Sequence, residues 1–536
     1  MKKYTIGVDF GTLSVRAVLV ATSDGREIAT EEFVYPHAIL TEKEICGGTP
    51  CDATALQHPA DYEQGLTFVV KGVLQKAGVD KSEVAGIGID FTSCTVFPVF
   101  ADGTPLCYDE EFVFNPHAYA KLWKHHGAED CAEHMTRLAV ERGETWLADY
   151  GGSISSEELL PKALEVYRRA PEVYEKTAYF VEGADWMTWK LTGKLTRSAC
   201  FVGFKALWDE NRGYPKEYLT AVEPAFHDFY ETKLQGEILP TGTFAGGVCK
   251  DAATRYGLAE GTAVAVPVID AHAAMPAAGV TSPKKLLVIL GTSGVQLLLD
   301  KADYPVQGIC GKVNGGVVPG YYVYEAGQTS VGDGFDWMIK HCVPQSYYDE
   351  ANRRGLSIFD YLNELAEKDC GCLTAVDWWN GNRNPYNDYD LKGVLVGLTL
   401  QTKPEHIYHA FLQATTFGTR KIMDLFTDCG VQIDSVVAGG GIANKNPLFM
   451  QMMANALNKP VDVVDCKQAG AKGSAIFAAA ASGAYDTLDD ATAAMADKPN
   501  KRYVPQESKV EKTEAKYKKY CALCDFFSQN KDLMKD

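Results

Sequence analysis

Apolar and polar positions alternate almost from the first residue, in three bursts. Residues 4 to 10, 14 to 21 and 26 to 34 read as strands, with Ser23-Asp24-Gly25 as the hairpin turn between the last two. The period then lengthens: Pro59 opens a stretch in which Tyr62, Leu66, Val69, Val73, Leu74 and Ala77 recur at helical spacing, and Gly78 closes it. A strand over 84 to 90 follows, so the chain opens β-β-β-α-β. Residues 100 to 230 are less regular and rich in Trp, Tyr and His, as expected of a substrate-facing insertion on a rigid core. The pattern resumes near Gly261, with buried strands over Val264 to Asp270 and Leu286 to Leu290 and a return strand over Val295 to Leu299. A long helix over about 404 to 429 carries Ile407, Phe411, Ala414, Gly418, Ile422 and Leu425 on one face. Asp434 to Gly441 is a strand entering a Gly-rich loop, followed by helices over 446 to 458 and 469 to 482 around a short strand, Val461 to Val464. The last 30 residues read as a charged helix packed back on the body.

Part of this pattern occurs twice. Ile6-Gly7-Val8-Asp9-Phe10-Gly11-Thr12-Leu13-Ser14-Val15 shares its core with Leu290-Gly291-Thr292-Ser293-Gly294-Val295, and a displacement of about 280 positions superposes Gly11 on Gly291 and Thr12 on Thr292. Gly78 to Gly88 likewise has the form of Gly430 to Gly440: a helix ends on Gly and a buried strand follows. The chain divides on this reading into a first half, residues 1–262 with an insertion at about 100–230, a second half, residues 263–490, and a helical tail, residues 491–536.

Composition narrows the class. With 536 residues, 46% of them apolar and 23% charged, the chain needs two or more cores. A formal charge of −18 without clustered Lys and Arg argues against a nucleic-acid partner. Fifteen cysteines fall in no framework and no secretory leader is expected ahead of Met1-Lys2-Lys3, which implies a soluble protein of the reducing cytoplasm. Apolar runs stay well below the roughly 18 to 20 residues of a membrane span. A homodimer is the default assembly.

The two Gly-Thr turns follow apolar strands, so their backbone N–H groups can face phosphate oxygens. Asp9 shares a strand face with Gly7 and Gly11 and leaves the sheet where the first turn begins. A carboxylate there can hold Mg²⁺ while Gly11 and Thr12 donate to phosphate, although alone it would read as a solvent-facing strand end. Asp270 follows an apolar strand and precedes the small-residue stretch Ala271 to Gly279; it suits an N-cap, or a general base accepting the proton of an attacking hydroxyl. Gly439-Gly440-Gly441 lets a flat ligand such as adenine approach the backbone, with Ala471 and Gly473 letting the next helix pack near it; the alternative is a tight turn. No G-x-x-x-x-G-K-[ST] occurs. The single C-x-x-C at Cys521 and Cys524 lacks a second ligand pair, His125-His126 reads as surface or substrate-lining, and Trp378-Trp379 as core.

Asp9-Phe10-Gly11-Thr12, Gly291-Thr292-Ser293 and Gly439-Gly440-Gly441, in this order, resemble the FGGY carbohydrate kinases of the sugar kinase, Hsp70 and actin superfamily. The resemblance covers nearly the whole chain. Gly88 to Thr95, Leu122 to His126, Gly151 to Glu157, Glu325 to Gln328 and Asp377 to Arg383 resemble the ribulose-phosphorylating branch of that family. The resemblance implies an α/β protein with two actin-like (ribonuclease H-like) domains flanking a cleft, sugar held mainly by the first and nucleotide by the second. It implies that ATP, with Mg²⁺, phosphorylates the terminal hydroxyl of L-ribulose. Asp270 matches the catalytic base, and Asp9 with Asp270 the metal-associated carboxylates. Cys94, Trp123, Lys205, Asp270 and Glu325 match sugar-lining positions. Gly11, Thr12, Arg16, Gly291, Thr292, Gln328, Gly440, Gly441 and Asn444 match positions around the nucleotide. Residue type alone leaves Trp123 open as core and Lys205 and Glu325 as surface charges.

The chain departs from the family where Ser93 and Cys94 replace the usual Gly and Ser, and Val96 the usual Pro, beside the sugar. That leaves D-ribulose, xylulose and ribitol as alternative acceptors. A non-catalytic ATP switch on the same fold is the alternative of a different class, and a filament protein a weaker one.

Overall fold

The computed structural model describes residues 3–534 and divides into two compact units. The expected leader-free start at Met1-Lys2 lies outside the described residues. The first unit comprises Met1–Thr281, Lys312–Val323 and Gln468–Asp497, the second Ser282–Gly311, Tyr324–Lys467 and Lys498–Asp536.

In the first unit β1 (Tyr4–Phe10), β2 (Ser14–Ala21) and β3 (Glu27–Val34) form the antiparallel meander that the alternation predicts. β4 (Val84–Phe91) lies parallel to β1 on its other side, and beyond it come β5 (Phe244–Gly247), β6 (Ala263–Ala265) and β7 (Val268–Ile269), with β6 and β7 both parallel to β4. The strand expected as one piece over Val264 to Asp270 is thus two, and Asp270 already belongs to a helix, Asp270–Ala277.

Both faces of this sheet are covered. Ile6, Val8 and Phe10 are fully buried, and Phe10 meets Tyr62 of the helix Pro59–Ala77 edge-on at 6.2 Å. The opposite face, bearing Gly7 and Gly88, receives the helix Ala469–Ala481 so closely that a Cβ on either glycine would fall 1.6 Å from the Ala471 carbonyl oxygen and 2.0 Å from that of Ser474. This explains why Gly7 in β1, and Gly86 and Gly88 in β4, stand among large apolar residues. It also gives Ala471 a task within this unit, its carbonyl closing on Gly7. Gly473 admits the helix Asp270–Ala277, with the Ala273 carbonyl oxygen 1.7 Å from where its Cβ would stand.

The inserted region is more regular than its composition suggests. Helices Glu129–Arg142, Leu159–Arg169 and Gly183–Thr192 surround a small sheet containing Val96–Val99 and Tyr179–Glu182. Met135, Trp146, Leu160, Tyr218 and Phe226 share its core.

The second unit repeats the strand order of the first. β8 (Lys285–Leu290) pairs antiparallel with β9 (Gly294–Asp300), which neighbours β10 (Tyr322–Gln328). On its other side β8 is parallel to β11 (Ser435–Gly439), then come β12 (Val461–Val463) and β13 (Lys501–Tyr503). The first turn spans Gly11 to Ser14 between the pair Phe10↔Val15, the second only Gly291 to Ser293 between Leu290↔Gly294, so the repeated hairpin closes one residue tighter.

The boundaries expected at 262 and 490 are therefore displaced. β6, β7 and the helix beginning at Asp270 complete the first sheet, and the glycine contacts tie Ala469–Ala481 to the same unit. The tail is not separate: Tyr517, Tyr520 and Cys524 of the helix Glu507–Gln529 share a core with Trp378 and Phe417 in the second unit.

Candidate functional site

Asp9, next to the end of β1, stands opposite Asp90 of β4. The two carboxyls crowd Gly470, where a Cβ would lie 2.9 Å from Asp90 Oδ1 and 3.4 Å from Asp9 Cγ. Asp90 is fully buried, and Ser474 Oγ donates to its Oδ2 at 2.7 Å. Burial, reinforced by the charges of Asp9 and Asp270, holds Asp90 well above the usual carboxylate range. Burial also raises Asp9, against the pull of the Asp90 hydrogen bond and the Arg16 charge. The two carboxyls titrate as a pair, and of the two Asp9 keeps an accessible edge. Arg16 faces Asp9 across β1 and β2, and its Nε donates to Glu32 at 3.0 Å on the exposed side.

The first Gly-Thr turn is tied down from three directions. Gly11 N–H donates to the Ser14 carbonyl at 3.0 Å, Gln57 Nε2 donates to the Thr12 carbonyl at 2.6 Å, and the Trp123 indole N–H donates to Thr12 Oγ1 at 3.2 Å. Trp123 is 38% exposed, which decides against the core reading. Two of the expected site residues, Thr12 and Trp123, are thereby in contact within one unit. Gln57, itself an acceptor from Tyr62, carries no local sequence signal for this task.

β7 pairs its last two residues with Asp90 and Phe91, and delivers Asp270 directly after them. Ala271 N–H donates to Asp270 Oδ1 at 2.8 Å. The carboxylate thus sits at the positive end of its helix, which favours its ionised, proton-accepting form. N-terminal anchoring and base chemistry are compatible there.

Cys94 is fully buried with φ 58°, and its Sγ donates to Glu182 Oε1 at 3.5 Å. Lys205, half-buried, ends the helix Ala199–Lys205, and its charge acts on Cys94, Glu158 and Glu182. Burial pushes both glutamates up to about 7. Neither glutamate stands out in sequence, because the feature that marks them is the apolar burial around them. His125 corrects the expectation of a surface or substrate-lining residue. It is buried and shares Glu165 Oε2 with Lys121, each at 3.0 Å, and burial lowers it to about 4.

In the second unit Gly291 N–H donates to the Ser293 carbonyl at 3.0 Å, while Val331 and Gly332 N–H groups donate to the carbonyls of Thr292 and Gly291 at 2.9 and 3.0 Å. The Gly-rich loop follows β11. Gly440 adopts φ 97°, and a Cβ there would stand 2.3 Å from the Leu290 carbonyl oxygen, whereas Gly441 borders open space. Asn444 and Gln328 act as braces. Asn444 Nδ2 donates to the carbonyls of Gly440 and Val464 at 3.2 and 3.1 Å. Gln328 Nε2 donates to Asp377 and the Thr415 carbonyl, and its Oε1 accepts from Gln296 and Thr419. These four bonds use the whole Gln328 amide. Glu325 is a half-buried residue of β10.

Among the described residues no group of three or more His, Cys, Asp or Glu side chains could hold a metal ion by itself. A hard, oxygen-only site completed by water and phosphate is the ordinary form of a Mg²⁺ site in phosphoryl transfer, and the Asp9 carboxylate suits it. No helix among the described residues is long and apolar enough to cross a membrane.

Two family models cover the chain: the N-terminal domain of the FGGY family of carbohydrate kinases matches residues 4–275 and its C-terminal domain residues 286–482. The chain is 43% identical to a protein named ribulokinase from Geobacillus thermodenitrificans over 100% of its own length and 96% of that protein's. It is 43% identical to one of the same name from Halalkalibacterium halodurans, over 99% and 96%. Among solved structures, xylulose kinase from Rhodospirillum rubrum superposes with a TM-score of 0.81 at 21% identity, covering 99% of this chain and 100% of that one, which shows a shared fold.

Proposed function

The chain belongs to the FGGY family of carbohydrate kinases, and from that premise we propose that it transfers the γ-phosphoryl group of ATP to the terminal hydroxyl of L-ribulose, giving L-ribulose 5-phosphate in arabinose catabolism. The observation that carries the acceptor is the 43% identity, along the whole chain, to proteins named ribulokinase. Asp270 accepts the hydroxyl proton as the oxygen attacks the γ-phosphorus and the bond to ADP breaks. Trp123 packs on the sugar, Lys205 and Glu325 hold its hydroxyls, and Cys94 bounds it. Gly11 and Gly291 close their turns on the Ser14 and Ser293 carbonyls, which leaves the backbone donors of Thr12 and Thr292, with Arg16, to take phosphate oxygens, and Gly440 and Gly441 accept the adenine face. Gln328 and Asn444 hold their segments in shape. Asp9 and Asp270 would hold Mg²⁺, which neutralises phosphate charge when bound. The protein acts in the cytoplasm, as a homodimer.

Ser93, Cys94 and Val96 favour a second reading, in which another pentulose or pentitol is the better acceptor. A panel of L-ribulose, D-ribulose, xylulose and ribitol with coupled ADP detection separates the two. The highest kcat/KM on L-ribulose supports the proposal, and a tenfold preference for another acceptor overturns it.

A further inference from the structure

Lys162 lies in the helix Leu159–Arg169 and is 1% exposed. Its ammonium has three N–H groups, and all of its partners are main-chain carbonyls: Cys94 at 2.6 Å, Leu122 at 2.8 Å and Lys121 at 3.4 Å. These lie 68, 40 and 41 positions away along the chain. Burial disfavours the charged form. A methionine would fill the same volume without that cost; what lysine adds is convergent donors on two segments that otherwise meet through the strand pair Val96↔Lys121.

The segments joined are those of the sugar site. Cys94 holds φ 58°, a backbone conformation that a side chain with a Cβ disfavours, so it persists only if its surroundings fix it. Lys162 fixes its carbonyl, and Glu182 its thiol. The Leu122 carbonyl belongs to the peptide that leads into Trp123, whose indole is anchored at its other end on Thr12. One buried side chain therefore grips both segments beyond the end of their strand pair, on the carbonyls next to the thiol and the indole.

We propose that Lys162 is a positioning residue for sugar recognition: by clamping the Cys94 and Leu122-Trp123 segments it sets the affinity for the pentulose and the discrimination among pentuloses, without touching the sugar. The proposal rests on the reading that Cys94 and Trp123 face the acceptor.

Steady-state kinetics of Lys162→Met and Trp123→Ala in the full chain, with L-ribulose and ATP varied separately, test it. In Lys162→Met the KM for L-ribulose is expected to rise at least about tenfold and the preference over D-ribulose to shrink, with the KM for ATP and kcat within about threefold of the unsubstituted chain. A merely structural role would lower the melting temperature and the active fraction and leave both KM values unchanged, which overturns the proposal. Should Lys162→Met not fold, Lys162→Gln, which keeps two N–H donors on a shorter stem, is expected to raise the sugar KM at least about threefold, and an unchanged value again overturns it. Failure of the underlying reading looks different: Trp123→Ala would then also leave the sugar KM unchanged, or the unsubstituted chain would phosphorylate no pentulose.

Discussion

At the scale of single residues, Asp270 meets two demands at once. It begins a helix, where Ala271 N–H donates to its carboxyl at the positive helix end, and it follows the strand beside Asp90. Asp270→Asn keeps the shape and removes the base, so kcat should fall about 10²–10⁴-fold with the melting temperature nearly unchanged; near-normal turnover would remove Asp270 from the mechanism. Glu158 supplies a second prediction, on stability. Burial raises it from 4.5 to about 7, so its folded form favours the proton. That contribution is complete below pH 4.5 and is lost as the pH rises through 7. Urea denaturation at pH 5 and pH 8 should show the unsubstituted chain losing on the order of 1–3 kcal/mol relative to Glu158→Gln, and equal differences at both pH values would contradict the assignment. Asp270 was legible because strand, acid and small-residue helix stand together in sequence. Gln57, Lys162, Glu158 and Glu182 were not, because each acts on a segment far along the chain. Gln328 and Asn444 brace their own segments, which the sequence did not disclose, since a sequence does not show where an amide's hydrogen bonds end.

At the scale of elements, the helix Ala469–Ala481 holds the site together. It lies on Gly7 of β1 and Gly88 of β4, bonds Asp90 through Ser474, and receives the Asp270 helix at Gly473. Gly473→Ala would put a methyl 1.7 Å from the Ala273 carbonyl oxygen, so the two helices must part. The expected cost is about 1–3 kcal/mol, with a parallel fall in kcat as Asp270 shifts; an unchanged melting curve would contradict this packing. In the second unit Tyr520 OH donates to Asp377 at 2.6 Å, and Asp377 in turn holds Gln328. Tyr520→Phe leaves a buried carboxylate oxygen short of a donor and should cost about 1–3 kcal/mol in urea denaturation, and the tail helix is peripheral if it costs nothing. The central strands of both sheets were legible from alternation or apolar runs and the helices Pro59–Ala77 and Pro404–Asp428 from their apolar stripes, whereas the strands Phe244–Gly247, Tyr322–Gln328 and Lys501–Tyr503 were not. The glycines of β1 marked a close approach, but only the fold reveals what approaches.

At the scale of the molecule, duplication explains most of what the chain disclosed in advance. The order β3-β2-β1-β4 in the first sheet is matched by β10-β9-β8-β11 in the second, and both repeated sequence runs fall at equivalent places, the first hairpin and the fourth strand. Duplication does not reveal exchange of segments: the first unit takes Lys312–Val323 and Gln468–Asp497 from beyond the second sheet's first strands, and no composition shift marks either. The insertion was legible as an interruption and its helices were not: Leu159–Arg169 and Gly183–Thr192 are buried on most sides, and the stripe of Glu129–Arg142 is made of the small or soft residues Cys131, Ala132, Met135 and Ala139. The central claim is that this fold spends ATP on a pentulose alcohol in a single coupled event. Phosphorus-31 NMR of a reaction with L-ribulose, ATP and Mg²⁺, followed to completion, tests it most directly. The account predicts one L-ribulose 5-phosphate for every ADP and negligible ADP without sugar; ADP accumulating at the same rate whether or not sugar is present would contradict it.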